Sequence, residues 1–262
     1  MRGSSNNTVI SLTGASVRYR VPTEQVATLK EYVIRMLRGR RIEYRAFWAL
    51  EGLNLDVQRG ESLGIIGRNG AGKSTLLKVI ARVLRPTQGR VWVKGNVAPL
   101  IELGAGFHLE LTGRENVYLN GAMLGFSQAQ MEERFDRIVA FAELGSFIDA
   151  ALRSYSSGMI MRLGFAVATE VEPDILIIDE VLAVGDESFR EKCLARMVEF
   201  RAKGTTILFV SHSLDSVRAI CDRAIWIDEG RLRSSGPVEL VIDAYRSHLL
   251  HPAQPASTPP AD

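Results

Sequence analysis

The chain has 262 residues, 46% hydrophobic and 24% charged, and its 32 basic and 30 acidic residues leave a formal charge of +2. That length suits a globular protein of one or two domains, and so balanced a charge excludes nucleic acid as the main partner. The two cysteines, Cys193 and Cys221, fall on apolar faces of expected helices, which predicts core filling in a reducing compartment. No apolar run approaches the ~18 to 20 residues of a bilayer span, and residues 1–7 lack an apolar signal core, so a cytosolic chain is expected.

Residues 8–19 carry Val9, Ile10, Leu12, Val17 and Tyr19 in a β-like pattern broken near Gly14, which predicts a strand pair. Over 21–45 the pattern changes: Val26, Leu29, Tyr32, Val33, Met36 and Leu37 recur at spacings of three and four, the mark of an amphipathic helix. Arg35, Arg38, Arg40, Arg41 and Arg45 crowd its end around Gly39. A strand resumes over 48–57, and Arg59-Gly60-Glu61 turns into a buried strand, Leu63-Gly64-Ile65-Ile66.

That strand runs into Gly67-Arg68-Asn69-Gly70-Ala71-Gly72-Lys73-Ser74-Thr75, followed by a helix predicted over 73–83 ahead of Pro86. Strand, glycine loop and helix together make the P-loop arrangement. Glycines at 67, 70 and 72 let backbone N–H groups turn toward one centre, where the positive helix N-terminus adds its field. In such a loop Lys73 reaches the β- and γ-phosphates and Ser74 holds Mg²⁺. The bland alternative, a glycine-rich turn with a stray Lys-Ser, leaves the flanking strand and helix unexplained.

A strand over 90–94 follows, and Leu100-Ile101-Glu102-Leu103 leads into Gly104-Ala105-Gly106-Phe107, a joint by composition. Helical signals dominate next: one segment over 112–124, then a capping box, Ser127 to Gln130, opening another that runs to about 144. Residues 107–170 therefore read as a helical lobe inserted in an α/β core. Beyond it lie two short apolar runs, 174–179 and 205–211, which read as strands buried on both faces. The helix over 189–203 between them implies a mainly parallel sheet with helices on both sides. Residues 224–228 and 231–235 form a hairpin about Glu229-Gly230, and the Pro/Ala/Ser-rich stretch from His251 is expected to be disordered.

Phosphoryl transfer to water needs a metal-holding carboxylate and a group that orients or deprotonates the water. Asp179, ending a buried strand, suits the first role and Glu180 the second; alone, the pair is an acidic turn. His212 follows the next buried strand, at the sheet edge where open α/β folds bind ligands. Tyr155-Ser156-Ser157-Gly158-Met159 precedes a helix expected to begin near Met159, and makes a second anion site in the other lobe, usable by a second copy of the chain.

These motifs, in this order, resemble the nucleotide-binding subunit of an ABC transporter over residues 8–245, with 246–262 as a tail. The resemblance implies a P-loop NTPase fold of the ABC type: a mainly parallel core sheet, an antiparallel β subdomain and an inserted helical subdomain. It implies that Tyr19 stacks on adenine and that Gly67, Asn69, Gly70, Ala71, Gly72, Lys73, Ser74 and Thr75 hold the phosphates of ATP. YSSGM resembles the LSGGQ signature, with Ser156 and Gly158 at its serine and second glycine. Ala183-Val184-Gly185-Asp186 occupies the D-loop, and His212 the switch histidine. Two copies would then pack head to tail around two ATP molecules with Mg²⁺, at the cytoplasmic face of the inner membrane beside a separate transmembrane subunit.

Three departures narrow the family: the extra helix over 21–45, the sequence YSSGM, and Glu102 where a Q-loop glutamine is expected. They resemble the ATPases of polysaccharide exporters of the O-antigen, capsule and teichoic-acid group, which implies export of a lipid-linked polysaccharide. Glu102 is a weak metal-site candidate, since a carboxylate cannot donate the hydrogen bonds an amide can. Some members carry a C-terminal carbohydrate-binding domain; this sequence stops at Asp262 after a Pro-rich tail, so such a domain is expected to be either absent or removed. The arginines of 35–45 would suit anionic headgroups or a lipid pyrophosphate near the membrane subunit, the alternative being a plain packed helix. Another exported substrate is the nearest alternative function. A soluble ABC protein acting on DNA or the ribosome generally needs a long coiled-coil insertion or two fused cassettes. A P-loop kinase leaves Tyr155 to Met159 and His212 unexplained.

Overall fold

The computed structural model describes residues 7–22, 44–100, 104, 106–170, 172–179 and 186–250. The body of the expected helix at 21–45 lies outside these residues, as do Glu102, Glu180, residues 183–185 and the tail from His251. At the edges of that helix the expectation is corrected: β1 (Thr8–Pro22) and β2 (Tyr44–Gln58) are strands, so residues 21, 22, 44 and 45 are extended and paired with one another. Nor does Gly14 divide β1 into a strand pair. The register shifts between Leu12 and Ala15, where Gly14 takes a left-handed φ of 59° and its N–H is held by Asn54 Oδ1 at 2.8 Å. A bulge absorbs the glycine and the strand continues.

The strands form two sheets. The first is antiparallel, in the order β2-β1-β4, with β4 spanning Gln88–Val93. The second has the order β5-β6-β7-β3-β8-β9, formed by β3 (Ser62–Ile66), β5 (Val97–Leu100), β6 (Ile175–Asp179), β7 (Thr206–Val210), β8 (Arg223–Asp228) and β9 (Arg231–Pro237). Its first five strands run parallel and β9 closes the edge antiparallel to β8. Both faces of this sheet are covered, which is why β3 and β7 are buried at every position and, after Ser62 and Thr206, carry no polar side chain.

Seven α-helices occur among the described residues: α1 (Lys73–Ile80), α2 (Gly113–Met123), α3 (Gln128–Ala142), α4 (Ser157–Ala168), α5 (Glu187–Ala202), α6 (Leu214–Ile220) and α7 (Val238–Leu250). The capping box is present, Ser127 Oγ accepting from Gln130 N at 3.3 Å and Gln130 Oε1 from Ser127 N at 2.9 Å. Helix α1 ends at Ile80, short of the expected 83, because Arg82 turns left-handed (φ 62°) and its guanidinium reaches Val93 O at 2.5 Å. Helix α7 has no counterpart in the expected elements and runs past residue 245; Val241 and Ile242 anchor it in the core.

Three apolar clusters hold these layers together. One lies between the antiparallel sheet, α1 and one face of the parallel sheet, and the second lies on the opposite face under α5, α6 and α7. The third, built from α2, α3 and α4, is the core of the helical lobe between β5 and β6. Phe141 stacks on Phe165, and both meet Phe189 edge-on, at centroid distances of 5.7 to 6.2 Å, which ties that lobe to α5.

Candidate nucleotide site

Three strand ends define the site. Val210, the last residue of β7, lies in register with Ile65 of β3 on one side and Asp179 of β6 on the other. The glycine loop leaves β3 here, Asp179 closes β6, and exposed His212 stands two residues beyond β7. Carboxyl ends of adjacent parallel strands are where open α/β sheets receive ligands.

The loop's glycines answer to backbone contacts. At Gly67 (φ 150°) a Cβ would sit 2.2 Å from Ile227 O, and at Gly72 (φ 107°) 2.4 Å from Ala49 O. Gly72 is the N-cap of α1 and offers no capping side chain, and a helix N-terminus without a side-chain cap is suited to receive an anion. Arg68, Asn69 and Gly70 form the exposed crest, while buried Ala71 joins the core and its carbonyl accepts from Gly230 N at 2.9 Å. Lys73 is buried, and its ammonium lies across the loop, donating to Gly67 O at 2.8 Å and Arg68 O at 2.9 Å. Ser74 and Thr75 follow in the first helical turn, and Ser74 Oγ donates to Asp179 Oδ2 at 3.1 Å. Thus a hydroxyl and a carboxylate meet from sequence positions more than a hundred residues apart, the hydroxyl next in sequence to the lysine whose ammonium crosses the loop.

Tyr19 sits half-buried on β1 against the first core cluster, facing Phe47. In the helical lobe, α4 starts at Ser157, two residues before the expected Met159, because Ser156 is its N-cap and accepts from Met159 N at 3.2 Å. Tyr155 is buried and its hydroxyl donates to Phe147 O, which fixes the loop ahead of the cap; burial pushes its phenol up. A Cβ on Gly158 would meet only Ser156 Oγ, at 3.8 Å, so no packing within the subunit demands glycine in that first turn. Asp186 caps α5 through Phe189 N at 2.9 Å and pairs with Arg162 on α4 at 2.6 Å. The Phe189 N–H, and then the Arg162 charge, hold its carboxyl below the usual range.

Arg162 and Asn116 were not singled out by sequence. Arg162 also pairs with Glu143 at 2.9 Å and lies over the Phe189 ring at 4.9 Å, tying the helix that carries Ser156 to the start of α5. Asn116 is fully buried and holds His108 N at 2.8 Å and His108 O at 3.0 Å, fixing the chain that enters the helical lobe. A charged residue inside the apolar stretch SGMIMRLGFAVA was the available signal for Arg162; a lone helical Asn gives none.

A family model described as ABC transporter matches residues 50–183. Among curated relatives, the O-antigen export system ATP-binding protein RfbB of Klebsiella pneumoniae is 52% identical over 214 residues, covering 82% of this chain and 85% of that protein. The protein of the same name from Myxococcus xanthus is 50% identical over 250 residues, 94% of this chain but 57% of its own length. The teichoic acids export ATP-binding protein TagH of Enterococcus faecalis is 46% identical over 203 residues, 78% of this chain and 45% of that protein. The chain therefore spans most of the first of these and about half of the other two. Among solved structures, the ATP binding subunit of an ABC transporter superposes with a TM-score of 0.71 at 26% identity, covering 94% of this chain and 95% of that one. A dimeric ATP-binding cassette in a post-hydrolysis state, bound to ADP and Pi, gives 0.70 at 21% identity over 87% of this chain and 98% of that one, a likeness of fold.

Proposed function

Because the chain belongs to the ABC transporter family, we propose that it is the ATP-binding and ATP-hydrolysing subunit that powers export of a lipid-linked polysaccharide through a separate transmembrane subunit. The meeting of Ser74 and Asp179 at 3.1 Å beside Lys73 is the observation that carries the ATPase part. The export part rests on the relatives named for O-antigen and teichoic acid export. Among the described residues no helix is long and apolar enough to cross a membrane. A peripheral position at the cytoplasmic face of the inner membrane belongs to the same proposal.

The glycine loop and the α1 N-terminus would cradle the phosphates, with Lys73 moving from its two carbonyl partners to the β- and γ-oxygens. Ser74 and Asp179 fit Mg²⁺: one hydroxyl and one carboxylate are the sparse donors that ion accepts, phosphate and water supplying the rest. Bound there, the ion would neutralise charge on the phosphate oxygens. Glu180, next after Asp179, is proposed as the base that activates water, and His212 as the group that senses the γ-phosphate. Glu102 is assigned beside the metal. Tyr19 would stack on adenine.

Ser156 and Gly158 are assigned to the nucleotide of a second copy, packed head to tail, with Asp186 at the junction. Support comes from Gly158: glycine in a helix costs about 1 kcal/mol relative to alanine, and no contact within the subunit requires it. Close approach by a partner's ATP would.

The test is Glu180→Gln. ATP binding should persist while hydrolysis falls by roughly 10²- to 10⁴-fold, the value of a positioned base, and a nucleotide-bound dimer should accumulate. Turnover near wild type would overturn the assignment. For the export part, the subunit should co-purify with a membrane protein carrying lipid-linked glycan, and cells lacking the subunit should retain that glycan inside.

A further inference from the structure

Phe47 is a large apolar side chain left 49% exposed on β2, an edge strand of the antiparallel sheet. In the β1–β2 register it lies directly opposite Tyr19, and the two rings share one sheet face with centroids 5.7 Å apart and planes tilted by 32°. Two residues further along the same strand, Ala49 O abuts Gly72 of the phosphate loop, where a Cβ would approach it to 2.4 Å. At the next step Glu51 N donates to Gly230 O at 2.8 Å, which docks this edge onto the β8–β9 turn. The strand that presents Phe47 is thus held rigidly against the loop that receives phosphate.

We infer that Phe47 is a second wall of the nucleobase site, so that a base stacked on Tyr19 also meets the Phe47 ring. The inference rests on the reading that Tyr19 binds adenine. The two planes are tilted by 32° with centroids 5.7 Å apart, close enough for one flat base to reach both rings at the centroid separations of about 4.5 to 7 Å that aromatic groups prefer. Recognition of this kind uses the π-face of the base and tolerates changes at its edge. A cross-strand aromatic pair that merely stabilises the sheet is the competing explanation. That role would alter melting temperature and leave nucleotide affinity alone.

The two roles separate when ATP is compared with inorganic tripolyphosphate, which has the phosphates and no base. Dissociation constants for both, with Mg²⁺, are measured for the wild type and for Y19A, F47A, F47L and F47Y, alongside melting temperatures. F47A and F47L should each weaken ATP by about 3- to 10-fold, leave tripolyphosphate within about twofold, and be matched by near-wild-type ATP affinity in F47Y; F47L keeps the strand's apolar cover should F47A fail to fold. Wild-type ATP affinity in F47A and F47L, with Y19A weakened, overturns the inference and leaves the Tyr19 reading standing. Wild-type affinity in all of them overturns both. Equal weakening of ATP and tripolyphosphate overturns the inference, since the loop and not the base would have been disturbed. Weakened ATP in F47A with Y19A unaffected overturns the Tyr19 reading and, with it, the shared wall.

Discussion

Arg162 Nη2, on the helix that Ser156 caps, lies 2.6 Å from Asp186 Oδ2 at the start of α5. The same guanidinium reaches Glu143 at 2.9 Å and covers Phe189, while Glu143 also pairs with Lys192. One side chain therefore joins the end of α3, helix α4 and the start of α5. The Asp186 carboxylate is 63% exposed, and exposed ion pairs contribute only about 0 to 1 kcal/mol to stability. Its larger effect is expected on the alignment of the two segments. Arg162→Ala should lower ATPase turnover by an amount equivalent to about 0.5 to 2 kcal/mol, the range for mutations within a coupled network. ATP affinity of the monomer should hold, and Arg162→Lys should recover part of the loss. Unchanged turnover with a lowered melting temperature would reduce Arg162 to a brace.

Asp179→Asn tests the metal assignment. The amide keeps the size and can still accept from Ser74, which lies 3.1 Å away, but it loses the charge that a divalent cation needs. Turnover should fall by roughly 10²-fold or more, and the Mg²⁺ concentration for half-maximal activity should rise. Ser74→Ala should produce the same shift in Mg²⁺ dependence. A fall in turnover with unaltered Mg²⁺ dependence would remove Asp179 and Ser74 from the metal site.

What sequence conveyed here follows the range of the interactions. Parallel strands β3, β6 and β7 were legible because burial on both faces leaves a nearly unbroken apolar run, as in Ile175–Asp179 and Thr206–Val210. The edge strand β5, four residues with Pro99 among them, has no counterpart in the expected elements. The Ser127–Gln130 box and the glycine loop were legible because their contacts close within a few residues. Where a boundary depends on a distant partner, the reading slipped. Gly14 looked like a break because Asn54, which supports its bulge, is forty residues away. Helix α1 was drawn too long because Arg82 is turned aside by Val93 O on β4. Helix α7 was a true miss, since Val238, Val241, Ile242 and Tyr245 carry a helical period that the following polar tail obscured. Phe47 could not be coupled to Tyr19 without the register of β1 on β2.

Gly72→Ala should be far more damaging than Gly70→Ala, although both glycines lie in the same loop. The Gly72 φ of 107° is strained for any L-residue, and the new Cβ would lie 2.4 Å from Ala49 O, a backbone atom, and 3.0 Å from Leu50 Cδ2 of a fully buried leucine. Strain at such a position is worth about 1 to 3 kcal/mol before the clash is counted. Gly70 also has a positive φ, 78°, but a Cβ there meets nothing within 4 Å. Gly70→Ala should therefore cost only the left-handed penalty of about 1 to 2 kcal/mol. Thermal melts should rank Gly72→Ala below Gly70→Ala, with ATP binding lost in the former; equal melting temperatures would mean the loop relaxes around the new methyl.

The two cysteines give a prediction in the alkaline range. Cys193 faces the second core cluster from α5, and Cys221 follows α6 into the same cluster; both are free and buried. Burial pushes each thiol up from 9.0 to about 12. At pH 8 the native thiolate is scarce and shielded, so thiol reagents should label neither residue until denaturant is added. In the unfolded chain the thiols ionise near their ordinary value, whereas in the fold they keep their protons. Their contribution to stability is fully present below pH 9 and is lost as pH rises toward about 12. Within that window each thiol should lower unfolding free energy by about 1.4 kcal/mol per pH unit. Tyr155 and Tyr245 are also raised by burial and add a loss of the same sign, so the thiol share is isolated by comparing the wild type with a Cys193→Ala/Cys221→Ala variant. The variant should start less stable near neutral pH and lose stability less steeply above pH 9. Parallel slopes for the two proteins, or rapid labelling of native protein at pH 8, would mean that the thiols reach water.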